Sequence, residues 1–322
     1  MHALKSIAVI VCIILLSVTV ILAGVNTVFR LIYRDFYKNA ERDFLIPGLN
    51  SGFVPQGFDD LGERMLVSGY MKNEKPSRIY VLDSDGKKKN TVELYYEDGK
   101  PYTTHSGGVD VWGDFVYVSG DAFVDVFSLS DVLDDDGKAS VIGVINPGFD
   151  TAWCTVMDGY LLMGSFASSG SKDYPPDPCE IFTTPTGEKN VSLIKVFKLD
   201  ESYPLGISPN AAAAFSSGEK VQGLAFTDAG HVILSKSYGL ASSVLEFHKI
   251  DAERRGSCLD GEKEIPLFYF DSATLERSVK APPMSEELIV KDGYVYIMNE
   301  SACNKYIFGK FIGQYRCHKY KL

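Results

Sequence analysis

The sequence predicts an all-β fold, a β-propeller, preceded by an N-terminal transmembrane helix. Three observations predict it: a recurring pattern of two strands around a glycine turn, a composition typical of a folded globular protein, and an apolar segment near the N-terminus. The pattern recurs five times, and internal repeats indicate architecture more strongly than local propensities do. Five copies predict five blades, and their uneven spacing leaves a sixth, degenerate blade open.

Each copy has an opening turn, an apolar strand, a glycine-centred turn and a second strand that ends in small polar residues. The clear copies are VPQGFDDLGERMLVSGY from Val54, HSGGVDVWGDFVYVSGD from His105 and VQGLAFTDAGHVILSKSY from Val221. Looser copies are TAWCTVMDGYLLMGSF from Thr151 and SEELIVKDGYVYIMNES from Ser285. Alternating apolar residues between turns are typical of antiparallel strands. In a propeller each unit buries its face against its neighbour.

Three segments between the copies carry their own expectations. The stretch NAAAAFSSGEK, residues 210–220, predicts a short helix or turn, and residues 265–270 predict a strand of the fourth unit. The third unit contains a polar insertion, SSGSKDYPPDPC, that is too rich in proline and glycine for a strand. Long insertions cross a surface, so this one either roofs a pocket or is a tolerated loop.

Residues 7–24 read IAVIVCIILLSVTVILAG, which contains no charge and is long enough to span a bilayer. A cleaved signal usually has a shorter apolar region and a small-x-small exit, so an uncleaved anchor is favoured. We expect an anchor at 1–29, a stalk at 30–50 and a propeller at 51–322. A short helix in the stalk would end at Pro47 and Gly48.

The charges around the apolar segment leave its orientation open. Lys5 and the amino terminus precede it. The four basic residues that follow it are Arg30, Arg34, Lys38 and Arg42. This count taken alone places the propeller in the cytoplasm. Interleaved acidic residues, and the use of N-terminal anchors for export, favour the other side. We expect a single-pass protein of the cell membrane with an extracytoplasmic propeller.

Net charge and cysteine content exclude some classes of function. The formal net charge is −10, which argues against nucleic acid as a partner. Cys12 lies in the apolar segment, and the other five cysteines show no CxxC or zinc-type spacing. Cys303 and Cys317 either pair in the last unit or remain as buried free thiols.

The innermost strands of a propeller begin around one mouth of its central channel, so the opening turns supply the candidate ligand-binding residues. These are Gln56, His105, Asp150, Thr151, Gln222 and Glu286. The amides of Gln56 and Gln222 either bind a ligand or tie blades together. His105 could transfer a proton or bind a metal ion. Alternatively, it has a structural role and stabilises a turn. Alternation along a strand sends one of Glu286 and Glu287 inward, and Glu286 aligns with Gln56.

Polar residues also recur where the second strands end. Ser68, Ser119 and Ser235 occupy this position in three copies. We expect these hydroxyls to form hydrogen bonds between neighbouring units and not to bind a ligand. Asp59, Asp110 and Glu286 are a further candidate set, because a glycosidase would need two or three inward carboxylates.

The segments PQGF, HSGGVDV, VQGLAF, SKSYGLASSVLEF and PPMSEELIVKDGYVYIMNES resemble a group of exported bacterial propellers. More distantly, the chain is similar to gluconolactonase, paraoxonase and NHL-type propellers over residues 52–306. The lactonase resemblance implies a calcium ion in the channel, held by a glutamate of the first opening turn and by asparagine or aspartate from others. This chain has Gln56 in the first turn and no asparagine in the later ones, and neutral amides neutralise calcium poorly.

Motifs of common enzymes are missing from the sequence, which contains no GxSxG, HExxH, Walker or GxGxxG pattern. We therefore expect a ligand-binding or scaffold module anchored in the membrane, without a cofactor. Its partner in the channel would be a small molecule, a glycan or a peptide. The alternative is a metal-assisted lactonase or esterase that uses His105 and Glu286, with calcium as its cofactor. Whether the chain is an enzyme stays open at this level.

Overall fold

The computed structural model describes residues 2–322, and β-strands form most of the chain after an N-terminal helical segment. Helix α1 (His2–Ile32) and the short helix α2 (Arg34–Asn39) lead into strand β1 (Ala40–Leu45). The part Ile10–Ile32 is long and apolar enough to span a bilayer, judged by length and composition. The prediction of an all-β fold behind an apolar N-terminal helix is confirmed.

The other strands form five antiparallel units, which follow one another along the chain. Unit 1 contains β2 (Phe53–Asp60), β3 (Arg64–Met71), β4 (Arg78–Asp83) and β5 (Lys88–Tyr95). Unit 2 contains β6 (Val109–Trp112), β7 (Phe115–Ser119), β8 (Val124–Ser128), helix α3 (Leu129–Leu133) and β9 (Lys138–Ile145). Unit 3 contains β10 (Trp153–Met157), β11 (Tyr160–Gly164), the short pair β12 (Phe182–Thr183) and β13 (Lys189–Asn190), β14 (Ser192–Leu199) and β15 (Ile207–Ser217).

The last two units complete the fold. Unit 4 contains β16 (Val221–Phe226), β17 (His231–Lys236), β18 (Ser243–Lys249) and β21 (Leu275–Ala281). The hairpin of β19 (Arg255–Asp260) and β20 (Lys263–Tyr269) lies between β18 and β21 in the chain. Unit 5 contains β22 (Ser285–Lys291), β23 (Tyr294–Asn299) and β24 (Arg316–Lys321). Short 3₁₀ turns lie at Pro178–Glu180, Pro204–Gly206 and Phe308–Ile312.

The first strands of the units lie next to one another in a circle. Strand β2 contacts β6, β6 contacts β10, β10 contacts β16, β16 contacts β22, and β22 contacts β2 again. Hydrophobic clusters fill the spaces between neighbouring units. Leu66 and Ile79 of unit 1, for example, pack with Val116 and Val118 of unit 2. Burying one such side chain stabilises the fold by about 1.5–3 kcal/mol.

Strand β1 completes unit 5, because it pairs antiparallel with β24 and brings Ala40 opposite Tyr320. Residues 40–45 were predicted to lie in the stalk, but they form an edge strand of the last sheet. Pro47 and Gly48 follow this strand and do not end a helix. The reason is tertiary: Phe44 is buried in the cluster between units 5 and 1, and β1 covers the otherwise exposed edge of β24.

Two further local predictions were wrong. Most of residues 210–220 belongs to strand β15, although an alanine run favours a helix. Pairing on both sides overrides that propensity, since Ala214 lies opposite Lys195 of β14 and opposite Leu267 of β20. The strand predicted at residues 265–270 does form, as β20, but its assignment to the fourth unit was wrong, because it pairs in parallel with β15 of unit 3. The fourth strand of unit 4 is instead β21.

The serines at the ends of the second strands form the expected hydrogen bonds between units. Ser68 Oγ donates to the Gly107 carbonyl at 2.8 Å, and Ser119 Oγ donates to the Ala152 carbonyl at 3.1 Å. The hydroxyls of Ser235 and Ser285 lie 2.8 Å apart. Each pair joins one unit to the next, so these hydroxyls hold the ring together at its mouth.

The cysteines do not form disulfides within residues 2–322, where all six thiols are free. Cys303 and Cys317 are both buried in the cluster between units 5 and 1. Of the two alternatives left open by the sequence, the structure shows the buried free thiols.

Close packing around the ring axis predicts a specific effect of adding one methyl group. A Cβ at Gly223 would lie 2.7 Å from the Glu287 Cα, whereas a Cβ at Gly170 would have nothing within 4 Å. We expect Gly223→Ala to lower the free energy of unfolding by about 1–3 kcal/mol, because overpacking forces backbone shifts. Urea unfolding of the detergent-solubilised chain, followed by circular dichroism, measures this. Gly170→Ala is the control, and equal midpoints for the two variants would contradict the close approach.

Candidate functional site

A cavity of about 1300 Å³ opens at the end of the ring where the five innermost strands begin, which we call the mouth. The structure brings all the residues proposed from the opening turns to its lining: Gln56, His105, Asp150, Thr151, Gln222 and Glu286. They come from five different units, and the ring of first strands is what gathers them.

Bulges in the innermost strands place some of these side chains. The pairing of β2 with β3 skips Gln56 between Pro55 and Gly57, and that of β16 with β17 skips Gln222 between Val221 and Gly223. A bulged residue is left out of the ladder and turns its side chain away from the sheet. The two amides therefore reach the cavity from matching positions.

Unit 2 reaches the cavity differently. Gly107 and Gly108 together lie opposite Ser119, since the Gly107 N–H donates to Ser119 and the Ser119 N–H donates to Gly108. The register thus makes Gly107, and not His105, the counterpart of Gln56. His105 lies two residues earlier, in the loop, and lines the cavity from there.

The alternation expected for Glu286 and Glu287 does not occur, because a bulge between Ser285 and Leu288 interrupts it. Both side chains are buried. Glu286 lines the cavity, while Glu287 lies on the ring axis and accepts hydrogen bonds from the backbone N–H groups of Phe58, at 2.8 Å, and Val109, at 3.1 Å. Sequence reasoning missed the role of Glu287.

Glycines in other units make room for Glu287. A Cβ at Gly57 would lie 2.6 Å from Glu287 Oε2, and one at Gly108 would lie 2.8 Å from Oε1. Burial raises the pKa of Glu287 well above its usual range, and nearby Asp110 raises it further. Within the described residues its Oε1 has no hydrogen-bond partner. One carboxyl group thus links three units through two backbone donors.

A second carboxyl pair is bound to the backbone. Asp110 accepts hydrogen bonds from the Val156 N–H at 2.6 Å and from Thr155 Oγ1 at 3.0 Å, and Asp59 accepts one from the Val111 N–H at 3.0 Å. Burial and then Asp59 raise the pKa of Asp110; burial raises that of Asp59 to about 6. Neither residue lines the cavity. The structure therefore does not bring them together with Glu286 as a set of channel carboxylates.

A different carboxyl pair does line the cavity, and it consists of Glu286 and Glu300. Gln56 Nε2 donates to Glu300 Oε2 at 2.9 Å. Burial raises the pKa of Glu300 to about 7, although Lys305 and hydrogen bonds oppose the increase. Burial and then the neighbouring Glu300 raise the pKa of Glu286 well above its usual range. Such a pair can bind a cation or exchange a proton near neutral pH.

Lys305 and aromatic rings form one wall beside this pair. The Lys305 ammonium donates to the Tyr70 hydroxyl and lies 4.8 Å from the centroid of that ring and 5.2 Å from that of Tyr306. The His105 ring lies 4.4 Å from the Tyr70 ring. Desolvation inside the cavity lowers the pKa of His105 to about 4, and Lys305 also lowers it. His105 is nevertheless accessible from the cavity, and it is neutral at pH 7.

The opposite wall contains a second aromatic group, to which the insertion of unit 3 contributes. The rings of Phe166, Tyr174 and Tyr238 lie 5.3 to 6.2 Å apart. Tyr174 and residues 175–178 of the insertion line the cavity, so this segment is a wall and not only a surface loop. Beside it, Glu180 is buried and receives a hydrogen bond from Ser165; burial raises its pKa to about 7.

Carboxyl groups outnumber basic groups around the cavity. Seven of the lining residues carry one: Asp121, Asp150, Asp173, Asp177, Glu180, Glu286 and Glu300. Lys305 is the only lysine or arginine among the described lining residues. The sequence suggested two of the seven, and the others come from loops whose convergence no local pattern shows. Among the residues that the structure describes, no group of three histidine, cysteine or carboxylate side chains is arranged to hold a metal ion.

Comparisons with known proteins bear on the fold. No protein-family model matches the chain, and no curated protein matches it. Among solved structures, it is similar to a PQQ-bound aldose sugar dehydrogenase from Streptomyces coelicolor, with 16% identity, coverage of 81% of this chain and 78% of that one, and a TM-score of 0.46. It is also similar to glutaminyl cyclase from Myxococcus xanthus, with 10% identity, coverage of 80% of this chain and 90% of that one, and a TM-score of 0.43. A third similar structure is the WD40 β-propeller domain of Doa1, with 8% identity, coverage of 80% of this chain and 93% of that one, and a TM-score of 0.37.

These TM-scores lie below 0.5, so the assignment of the fold depends on the sheets themselves. Antiparallel sheets that follow one another around a common axis, with their first strands in contact, define an all-β protein of the β-propeller class. An apolar helix precedes the propeller.

The position of Glu287 predicts different effects for two substitutions. Glu287→Ala leaves the N–H groups of Phe58 and Val109 without an acceptor, and each buried unpaired group costs about 1–3 kcal/mol. Glu287→Gln retains a carbonyl oxygen of the same reach. We expect the alanine variant to lose several-fold more stability in urea unfolding than the glutamine variant. Equal losses would show that the two hydrogen bonds contribute little.

The raised pKa of Glu300 predicts a dependence of stability on pH. The folded chain holds this proton up to about pH 7, whereas an unfolded glutamate releases it near 4.5. Its contribution to stability is therefore fully present below about pH 4.5 and falls as pH rises through 7. We expect Glu300→Gln to be less sensitive than the parent to a change from pH 5 to pH 8, by on the order of 1–3 kcal/mol.

Unfolding midpoints in urea at the two pH values measure this difference. Glu201→Gln, at an exposed position outside the cavity, is the control and should behave as the parent does. If Glu300→Gln and Glu201→Gln showed the same pH dependence, Glu300 would not hold its proton in the folded chain.

Proposed function

We propose that this chain is a membrane-anchored, five-bladed β-propeller that binds a small ligand with a cationic group in its central cavity. The surplus of carboxyl groups around the cavity is the observation that carries the proposal. A polar cavity in a rigid ring suits reversible binding, since its walls are formed before the ligand arrives.

The five antiparallel units support the blade count. Each contains an innermost strand, and these strands follow one another around the axis without an additional one between them among the described residues. Strand β1 joins the N-terminal part of the chain to unit 5, and this pairing ties the first and last segments of the ring together.

Anchoring is the role that we propose for helix α1, with the propeller outside the cytoplasm. The uncharged apolar run at residues 7–24 has the length of a single span. An N-terminal apolar segment before a folded domain commonly directs export. Protease treatment of intact cells tests the sidedness, because an external propeller is cleaved without lysis and a cytoplasmic one is protected.

The chemistry of the cavity supports a cationic ligand in two ways. Carboxylates bind ammonium groups through charge-assisted hydrogen bonds, which are stronger than neutral ones. Tyrosine faces such as those of Tyr174 and Tyr238 add cation–π attraction. Glu286 and Glu300, close to one another and buried, would release protons when a cation binds, so affinity should rise from pH 5 to pH 8.

Metal-assisted hydrolysis is the alternative function, with His105 and Glu286 as its candidate catalytic residues. Both residues line the cavity, so a substrate bound there could reach an imidazole and a carboxyl group together. Stoichiometric calcium in the purified chain, together with turnover of a lactone or an ester that Glu286→Gln abolishes, would favour it over a binding role.

Calorimetric titration of the detergent-solubilised chain tests the binding proposal. The probes are choline, putrescine and glycinamide, with glucose as an uncharged comparison. We expect saturable binding of at least one cation, weakened about tenfold or more in Glu286→Gln and Glu300→Gln, since a buried charged hydrogen bond contributes about 1.5–3 kcal/mol. Glu201→Gln is the matched control. Binding of glucose alone, or unchanged affinity in both cavity variants, would overturn the cationic assignment.

A further inference from the structure

The direction of helix α1 relative to the ring can be traced from its contacts. Ala40 pairs with Tyr320 at the end of the ring opposite the mouth. Going back along the chain, the Tyr33 hydroxyl lies 3.1 Å from the Ser242 hydroxyl, and Asn26 Nδ2 donates to the Ile312 carbonyl at 3.2 Å. Ser242 and Ile312 belong to loops at the mouth. The helix therefore rises along the outside of the ring and leaves it on the mouth side.

The length of the helix places the bilayer close to these loops. Residues 7–26 rise about 30 Å at 1.5 Å per residue, which matches the hydrocarbon thickness of a bilayer. Side chains over residues 10–20 are exposed and make no core. If residues 7–26 span the membrane, the hydrogen bond from Asn26 to Ile312 lies at the hydrocarbon boundary. No long stalk then separates the ring from the membrane, because Tyr33 and Phe36 are already buried against units 4 and 5 of the ring.

The loop between β23 and β24 connects this boundary with the cavity. Lys305 and Tyr306 of the loop line the cavity, and Ile312 contacts the helix. Between them, Ile307 and Phe308 are 69% and 74% exposed, which are the highest exposures among the large apolar side chains of the described residues. Two large apolar side chains that the protein leaves mostly uncovered, close to an apolar helix of membrane-spanning length, have the exposure of interfacial anchors.

We propose that the mouth of the ring lies against the surface of the bilayer, with Ile307 and Phe308 inserted into its interface. This inference rests on the proposed role of α1 as a membrane anchor. Other mouth loops add apolar groups on the same face, since Leu240 is 51% exposed and lies beside Tyr238 and Gly239 of the cavity lining. The cavity then opens onto the headgroup layer, and its ligand enters from the membrane surface.

Depth-dependent fluorescence quenching tests this arrangement in the full chain. The chain is reconstituted in phosphatidylcholine vesicles with or without bromine on the upper acyl carbons, which quench tryptophan on contact. We expect Phe308→Trp to show blue-shifted emission and to lose most of its added emission in brominated vesicles. Ile307→Trp is a second, independent reporter in case one variant does not fold. The parent chain supplies the background from Trp112 and Trp153.

Tyr203→Trp is the matched control, because Tyr203 is 41% exposed and lies in the loop between β14 and β15, at the end opposite the mouth. Its added emission should not change with bromination. Absence of quenching at both 307 and 308, or equal quenching at 203, would overturn the proposed orientation.

Extraction of the vesicles with alkaline carbonate separates this inference from the anchor on which it rests. If the chain is released, α1 is not a membrane anchor and the proposed membrane attachment fails. If the chain is retained but residues 307 and 308 are not quenched, the anchor stands and only the orientation of the mouth is wrong.

Discussion

The fold depends on the close approach of its first strands to one axis, where the Glu287 carboxyl group satisfies backbone N–H groups of two other units. Its two hydrogen bonds, to Phe58 and Val109, link unit 5 to units 1 and 2. Gly57, Gly108 and Gly223 lack the side chains that would occupy this space. Burial disfavours the charged form of a carboxyl group, and for this reason the pKa of Glu287 is raised.

Bulges in the first strands direct polar side chains into the cavity. At Gln56 and Gln222 the ladder skips one residue just before a glycine that faces the axis. At Glu286 the bulge also keeps two successive carboxyl groups inside the molecule. The same local irregularity therefore lets the strands close on the axis and presents polar side chains to the cavity above it.

The cavity combines groups that would be unfavourable together in a structural core. Glu286 and Glu300 are buried close to one another, and Lys305 only partly offsets their repulsion. Such an arrangement lowers stability, and in the binding site that we propose an incoming cation would relieve it. The insertion of unit 3 and the loop between β23 and β24 form walls of the cavity, and the loop also contacts the apolar helix α1.

The sequence by itself determined the class of fold, because strand alternation and glycine turns are local and recur in each copy. It also determined the apolar helix and the residues of the opening turns that meet at the cavity. Only the tertiary structure decided the strand character of residues 40–45 and 210–217, since pairing with distant strands overrode local propensity. It likewise decided the inward position of Glu287 and the contribution of Glu300 and Lys305, because bulges and long loops act through contacts between residues far apart in the chain.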